Sequence, residues 1–368
     1  MNRARIGVDV RGLADPITGT GVVVRELLRR LDGLDRFEFV GYATRPVAEG
    51  SLPPSVPLRL GSGLSARWGS VWMQTSLGRL LARDQIDLFW GPLQVLPLRA
   101  ERGLPMVLTL HDLVFRFFPE TMSLRNRVLL PRLVPPSLRR ADLVTVVSET
   151  TGRDAVRELG ADAAKIRVVT NGVADHFEAS AEETASQRLL FVGTREPRKN
   201  LEALLEALRR LLDQGRWQGE LALVGLDGWG SNADIDARLR KLGERCQVSF
   251  LGYVGESELP EIYRSSRLLV MPSLYEGFGL PVLEAMASGL VVACSDAAPF
   301  PEITDGAALL APPRDVDALA QQIERAWGDE ALRAELRERG LDVARRYSWQ
   351  RSAEKLADVF DEVLSRRS

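Results

Sequence analysis

A chain of 368 residues, 45% hydrophobic and 27% charged, has the length of two ordinary domains and a globular composition. Its two cysteines, Cys246 and Cys294, exclude a disulfide framework. No apolar run approaches the roughly 18 residues of a membrane span, and "MNRARIGVDVRG" lacks a signal-peptide core, so the expected location is the cytoplasm. The net charge of −2 hides an asymmetry: residues 1–150 carry +6, with 20 Arg and no Lys, and residues 151–368 carry −8, a balance too modest and too poor in interleaved aromatics for a nucleic-acid binder.

Strand-like apolar runs alternate with helical patterns along the chain. "ARIGVDV" (4–10) reads as a strand, followed by the Gly-rich turn "TGTG" (18–21) and the helix "VVVRELLRRL" (22–31). "FEFVGYA" (37–43), "IDLFWG" (86–91), "PMVLTLHD" (105–112) and "ADLVTVVS" (141–148) continue the series, Ser148 capping the next helix, and "KIRVVTNGV" (165–173) closes it. Between them, Arg125, Arg127, Arg132, Arg139 and Arg140 stand among leucines and valines in a stretch without an acid. That stretch reads either as a plain amphipathic helix or as a surface for anionic lipid or a phosphorylated acceptor.

A second series begins at "RLLFVG" (188–193) and runs through the helix "NLEALLEALRRLLDQ" (200–214), "ELALVG" (220–225), "CQVSFLGY" (246–253) and "LLV" (268–270) to "LVVAC" (290–294). Alternating strands and helices imply parallel sheets, and two series imply two doubly wound α/β domains. The polar, unpatterned "ADHFEASAEETASQ" (174–187) marks the boundary. We expect domains at 1–175 and 186–346, with the amphipathic segment 347–368 a helix returning to the first.

Candidate chemistry sits just after strands, where such sheets bind ligands. In "GTREPRKN" (193–200), Arg198 and Lys199 stand at a helix start, a costly place for cations unless a polyanion joins them; Lys199 is one of four lysines beside 44 arginines. In "YEGFGLPVLE" (275–284), Glu276 and Glu284 flank Gly277, Phe278, Gly279 and Leu280, with Pro281 suited to a helix's first turn. Gly19 and Gly21 permit close backbone approach but do not complete a dinucleotide fingerprint. His111, one of two histidines, ends a strand and serves either structure or catalysis, with Asp112 orienting it or capping the turn. The "DID" at 234–236 heads a helix rather than ending a strand, so it reads as surface acid, not a metal site.

At this point the chain resembles the family 4 retaining glycosyltransferases of GT-B fold, in which two Rossmann-like domains face a cleft. The likeness runs in order through "GTGVVVRELLRRL", "HDLVFRFFPE", "VVSETTGRDAVRELG", "IRVVTNGV", "VGTREPRKNL", "VSFLGYVGESELPEIYRSSRLLVMPS", "EGFGLPVLE" and "YSWQRSAEKLADVF", and its variants look most like bacterial mannosyltransferase-type members. The resemblance implies that Arg198 and Lys199 hold a donor diphosphate and that Glu284 binds the ribose. Glu276 would face the transferred sugar, and His111 would touch it. Backbone N–H groups of Phe278, Gly279 and Leu280 would meet sugar or phosphate, and Gly19 and Gly21 would line the phosphates. Where many relatives carry Arg after the strand-end glycine, this chain has Thr194, leaving Arg195 or Arg198 to substitute. The implied activity is metal-free, cofactor-free transfer of a hexose from a nucleotide-diphosphate sugar to a glycan or lipid-linked acceptor; on the lipid-surface reading of its basic stretch, Arg125–Arg140 would add peripheral membrane contact. The alternatives are a sugar-nucleotide epimerase of the same fold and a non-catalytic sugar-binding protein.

Overall fold

The computed structural model describes residues 3–14, 17, 19–63, 68–180, 186–226 and 233–366. Thr18 of the "TGTG" turn, part of the expected boundary segment and most of the stretch before "DID" lie outside them. The chain divides into two compact units. Met1–Phe117, Leu124–Gly172 and Ser348–Ser368 form the first; Phe118–Ser123 and Val173–Tyr347 form the second.

The first unit holds β1 (Arg5–Asp9), β2 (Glu38–Ala43), β3 (Leu58–Leu60), β4 (Leu88–Gly91), β5 (Met106–Leu110), β6 (Leu143–Val146) and β7 (Ile166–Val168). They make one parallel sheet in the order β3-β2-β1-β4-β5-β6-β7. Covered on both faces, its central strands are buried throughout, all of Leu88–Gly91 and all of Met106–Leu110, and the one hydroxyl among them, Thr109, is bonded to Trp90 and Thr145. The helix Trp349–Ser365 belongs to this unit. Its Phe360 lies against Trp90 and Phe37, and Gly172 has no room for a side chain because a Cβ would meet Trp349 N at 2.2 Å.

The second unit holds β8 (Arg188–Val192), β9 (Glu220–Val224), β10 (Gln247–Gly252), β11 (Leu268–Met271), β12 (Val292–Ser295) and β13 (Leu309–Ala311). The order is β10-β9-β8-β11-β12-β13, again parallel, with β8 between β9 and β11. In both units the strand order reverses at the first strand, the doubly wound signature that places ligands at the carboxyl ends of the strands beside the reversal. The helix Leu201–Asp213 buries Leu201, Leu204, Leu205, Leu208 and Leu211, a 3.6-residue stripe that seals one face of the second sheet together with Trp217 and Trp327. Among the described residues no helix is long and apolar enough to cross a membrane.

Candidate functional site

The reversal point of the second sheet lies between β8 and β11, and the two richest motifs are the loops that follow these strands. After β8, Gly193 takes φ +150°, and a Cβ there would press to 3.2 Å from Lys199 Cε. Glycine therefore gives the lysine stem its path across the strand end. A short helical turn, Pro197–Lys199, then passes into Asn200, held left-handed at φ +55°. Asn200 donates its amide to the carbonyls of Pro272 (2.9 Å) and Pro313 (2.8 Å), tying the β8 loop to the β11 loop.

This tie brings two sequence motifs together. Lys199 Nζ donates to Glu276 Oε1 at 2.7 Å, and Arg198 pairs with Glu276 Oε2 at 2.7 Å. Arg198 also donates to the Tyr275 carbonyl and to Glu196. Lys199, Glu276 and Glu196 are buried. The four formal charges, two of each sign, cancel within the cluster, which is what buried ions require. Burial alone would raise the Glu276 carboxyl; Arg198 and Lys199 outweigh it and hold the group at about 2. The carboxylate expected to face a sugar is thus the counter-ion of the expected clamp. Glu196, which completes the cluster, was not singled out by sequence; its signal was an acid two residues before Arg198 and nothing more.

Arg195 goes elsewhere. Its guanidinium bonds Asp236 at 2.9 Å and lies over the Phe250 ring at 5.5 Å, on the β9–β10 side. Of the two candidates, Arg198 stands with Lys199 and Arg195 does not, while Thr194 contributes its carbonyl to the Glu196 N–H. Asp236 of "DID" is an ion-pair partner in a helix's first turn, and among the described residues no cluster of three or more His, Cys, Asp or Glu is placed to hold a metal.

After β11, Gly279 opens the helix Leu280–Ala287 at φ +101°, where a Cβ would sit 2.6 Å from the Phe300 ring. Among the described residues the backbone N–H groups of Phe278, Gly279 and Leu280 have no acceptor; the first turn is closed instead by Val282 N–H to the Gly279 carbonyl. Three consecutive free N–H groups at a helix start form a seat for an anion. The Phe278 side chain does not share in it, being buried edge-on against Tyr347. One turn along the helix, Glu284 accepts the Tyr263 hydroxyl at 2.9 Å. Burial pushes the Glu284 carboxyl up to about 7, with Glu256 adding to the rise and the Tyr263 bond opposing it. Tyr263 is fully buried against Phe177, and its role was invisible in a sequence that shows it only as one aromatic in a helix.

In the first unit the residues after β1, β4 and β5 carry less charge. Gly21 is packed: a Cβ would meet the Gly12 carbonyl oxygen at 2.2 Å. Gly19, at the start of the helix Gly19–Gly33, has nothing within 4 Å of its Cβ position. His111 is buried, and its Nε2 donates to the Pro92 carbonyl at 2.6 Å. Burial lowers its pKa, so the ring is neutral, with Nδ1 an acceptor. Asp112 caps the following turn, accepting from Val114 N–H at 3.0 Å, and does not orient the histidine.

Comparison with known proteins gives one consistent answer. Residues 17–177 match the family described as "Glycosyltransferase Family 4", and residues 173–343 match "Glycosyl transferases group 1". The chain is 35% identical over 283 residues to O-antigen chain mannosyltransferase B of Escherichia coli, covering 73% of this chain and 72% of that protein. Among solved structures, sucrose-phosphate synthase from Thermosynechococcus elongatus superposes with a TM-score of 0.78 at 23% identity, over 99% of this chain and all of the other. Anabaena HepE, solved with UDP and glucose, gives 0.76 at 19% identity, over 98% of this chain and all of the other. At such identities these structures speak for the fold.

Proposed function

This chain belongs to the family 4 glycosyltransferases of GT-B fold, and on that premise we propose that it moves a hexose, mannose in the first instance, with retention of configuration, from a nucleotide-diphosphate sugar to a glycan or lipid-linked acceptor in polysaccharide or glycolipid synthesis. The observation that carries this reading is the Arg198–Lys199–Glu276 cluster set beside three free N–H groups at the reversal point of the second sheet.

The physical steps follow from that arrangement. In the resting cluster Glu276 neutralises both cations. A donor diphosphate seated on the free N–H groups draws Lys199 and Arg198 as further donors, and Glu276 turns part of its acceptor capacity to hydroxyls of the sugar. As the anomeric C–O bond breaks, negative charge grows on the leaving phosphate. Fixed cations and N–H groups stabilise that charge without reorganising. The acceptor oxygen enters from the face the phosphate leaves, and its proton passes to the departing phosphate oxygen, so no protein nucleophile and no metal is called for. Glu284, ionised, accepts the two ribose hydroxyls. His111, neutral, accepts a sugar hydroxyl at Nδ1. Gly19 gives the first unit's backbone approach to the phosphates, Thr194 flanks them from the second, and Gly21 keeps the turn in shape.

The mannosyltransferase named above supports mannose as the sugar, and HepE's bound UDP supports a nucleoside diphosphate as leaving group. A lipid-linked acceptor would bring the protein to the cytoplasmic face of a membrane through the helix Leu124–Arg140. The test is a panel of nucleotide sugars screened by thermal shift, then labelled transfer to polyprenyl-diphosphate glycans with the product's anomeric configuration read by NMR. Donor-dependent product of retained configuration is expected, with EDTA without effect. Inverted product, or epimerised donor without transfer, overturns the reading.

A further inference from the structure

We propose that the first unit carries a bilayer-docking surface built from two segments far apart in sequence, with Trp68 as its inserting anchor and anionic lipid as its partner. The idea extends the membrane reading of the helix Leu124–Arg140, and its new content is the second segment. Residues 121–141 contain five arginines and no acid; residues 50–83 also hold no acid, and of their arginines Arg79 is exposed while Arg59 and Arg83 pair with Asp84 just beyond the segment. The fold brings the two together: Arg125 Nη2 reaches Ser70 Oγ at 3.4 Å, linking the helix Leu124–Arg140 to the helix Gly69–Trp72.

What lies around that junction is apolar and uncovered. Leu124 is 79% exposed, Trp68 62%, Val128 50% and Val71 48%. Leu124 and Val128 stand four apart on one face of the helix, and Trp68 and Val71 stand three apart beside the other. Arg125, Arg127 and Arg132 are exposed among them. The burial pattern of the long helix makes the same point. Its second half buries Val134, Ser137 and Leu138, whereas its first half exposes leucine, valine and arginine alike. A purely structural amphipathic helix would turn its leucines and valines inward along its whole length.

The chemistry selects the occupant. Apolar side chains large enough to enter the acyl boundary, beside the exposed guanidinium groups of Arg125, Arg127 and Arg132, match an anionic bilayer. A second copy of this face would set arginine against arginine. Tryptophan prefers the headgroup level, and Trp68 is the one exposed tryptophan among the described residues; Trp72, Trp90, Trp217, Trp327 and Trp349 are buried.

The test uses the full chain with vesicles of phosphatidylcholine, alone or with phosphatidylglycerol. Flotation with the anionic vesicles and not the neutral ones is expected, weakening as salt rises. Each arginine near the surface is worth roughly fivefold in partition, so the double change Arg125→Glu, Arg127→Glu should lower binding by at least about 25-fold. Brominated lipid should quench the fluorescence of the bound protein, and Trp68→Phe should remove that quenching. Equal binding to neutral vesicles, no flotation, or quenching unchanged in Trp68→Phe would overturn the proposal. So would concentration-dependent dimers that Trp68→Phe dissolves. Nucleotide-sugar binding, followed by calorimetry on the same samples, keeps the outcomes apart. Donor binding without flotation sinks the surface and leaves the transferase; flotation without donor binding does the reverse.

Discussion

The two sheets are wound in the same order, β3-β2-β1-β4 in one and β10-β9-β8-β11 in the other, yet their carboxyl edges are furnished differently. In the second unit the two strands at the reversal, β8 and β11, release loops whose ions meet: Lys199, Arg198 and Glu276 within 2.7 Å. In the first unit the corresponding edge holds a glycine packed on a carbonyl, a neutral histidine bonded to backbone, and one self-contained ion pair, Arg11 on the buried Asp9 at 2.7 Å. Winding decides where a ligand can sit, and loop chemistry decides which ligand. The second edge gathers two cations, their two carboxylates and the free N–H groups, the furnishing on which the donor proposal rests. The first, uncharged at His111 and open at Gly19, suits hydroxyls and close backbone approach.

The largest expected effect breaks the charged edge. Lys199→Ala should cost about 2–4 kcal/mol in kcat/KM, because the cation proposed to meet the leaving phosphate is lost. It also leaves Glu276 with Arg198 alone. Glu276→Gln makes the comparison sharper. Without the internal counter-ion the two cations should bind a bare nucleoside diphosphate more tightly while turnover falls. Calorimetry for the one and initial rates for the other read the split. If Lys199→Ala, still folded by circular dichroism, turns over normally, the second edge is not the donor site.

That edge was also the more legible in sequence. "EPRKN" and "YEGFGLPVLE" carried their chemistry in contiguous letters, and the apolar runs before them marked the strands. What escaped was whatever depends on a long-range contact. Lys199 meets Glu276 across 77 residues, where Asn200 ties the two loops, and Tyr263 reaches Glu284 across 21 residues. The three-residue strands β3 and β13 were missed as well, since so short a run shows no period. At the first edge "TGTG" announced flexibility but not which glycine needed it. The same limit hid Trp68 from the basic stretch near Arg125, some 55 positions on.

A second break concerns packing. Gly21→Ala forces a Cβ against the Gly12 carbonyl oxygen, 2.2 Å away, and should destabilise the chain by roughly 1–3 kcal/mol. Thermal unfolding measures it. An unchanged melting temperature would mean that the β1 loop yields easily and that the first edge is softer than its packing suggests.

The third prediction uses pH. Glu284 is held up to about 7, so in the empty site it is protonated below that value and ionised above it. A carboxylate accepting two ribose hydroxyls must be ionised, so binding below pH 7 requires proton release. Affinity for a nucleotide sugar, whose phosphodiesters do not titrate here, should be flat above pH 7 and fall about tenfold per unit below it. Tyr263→Phe removes the bond that favours the ionised form and should move the break to higher pH. A profile with no break between pH 5 and 8 would take Glu284 out of the ribose role.

The smallest effect tests whether the first edge reaches the donor at all. Gly19→Ala meets no atom within 4 Å and changes the first residue of a helix, outside the interior where glycine and alanine differ most. On structural grounds alone the variant should therefore be about as stable as the parent. If Gly19 admits the donor phosphates to the helix start, the added methyl stands in their path, and KM for the donor should rise several-fold while kcat changes little. A melting temperature that holds while KM rises is a split that no loss of folding can imitate, and it would support donor phosphate at the first edge. An unchanged melting temperature with KM unchanged would count against Gly19 as a donor contact and leave the Arg198–Lys199 edge as the phosphate site.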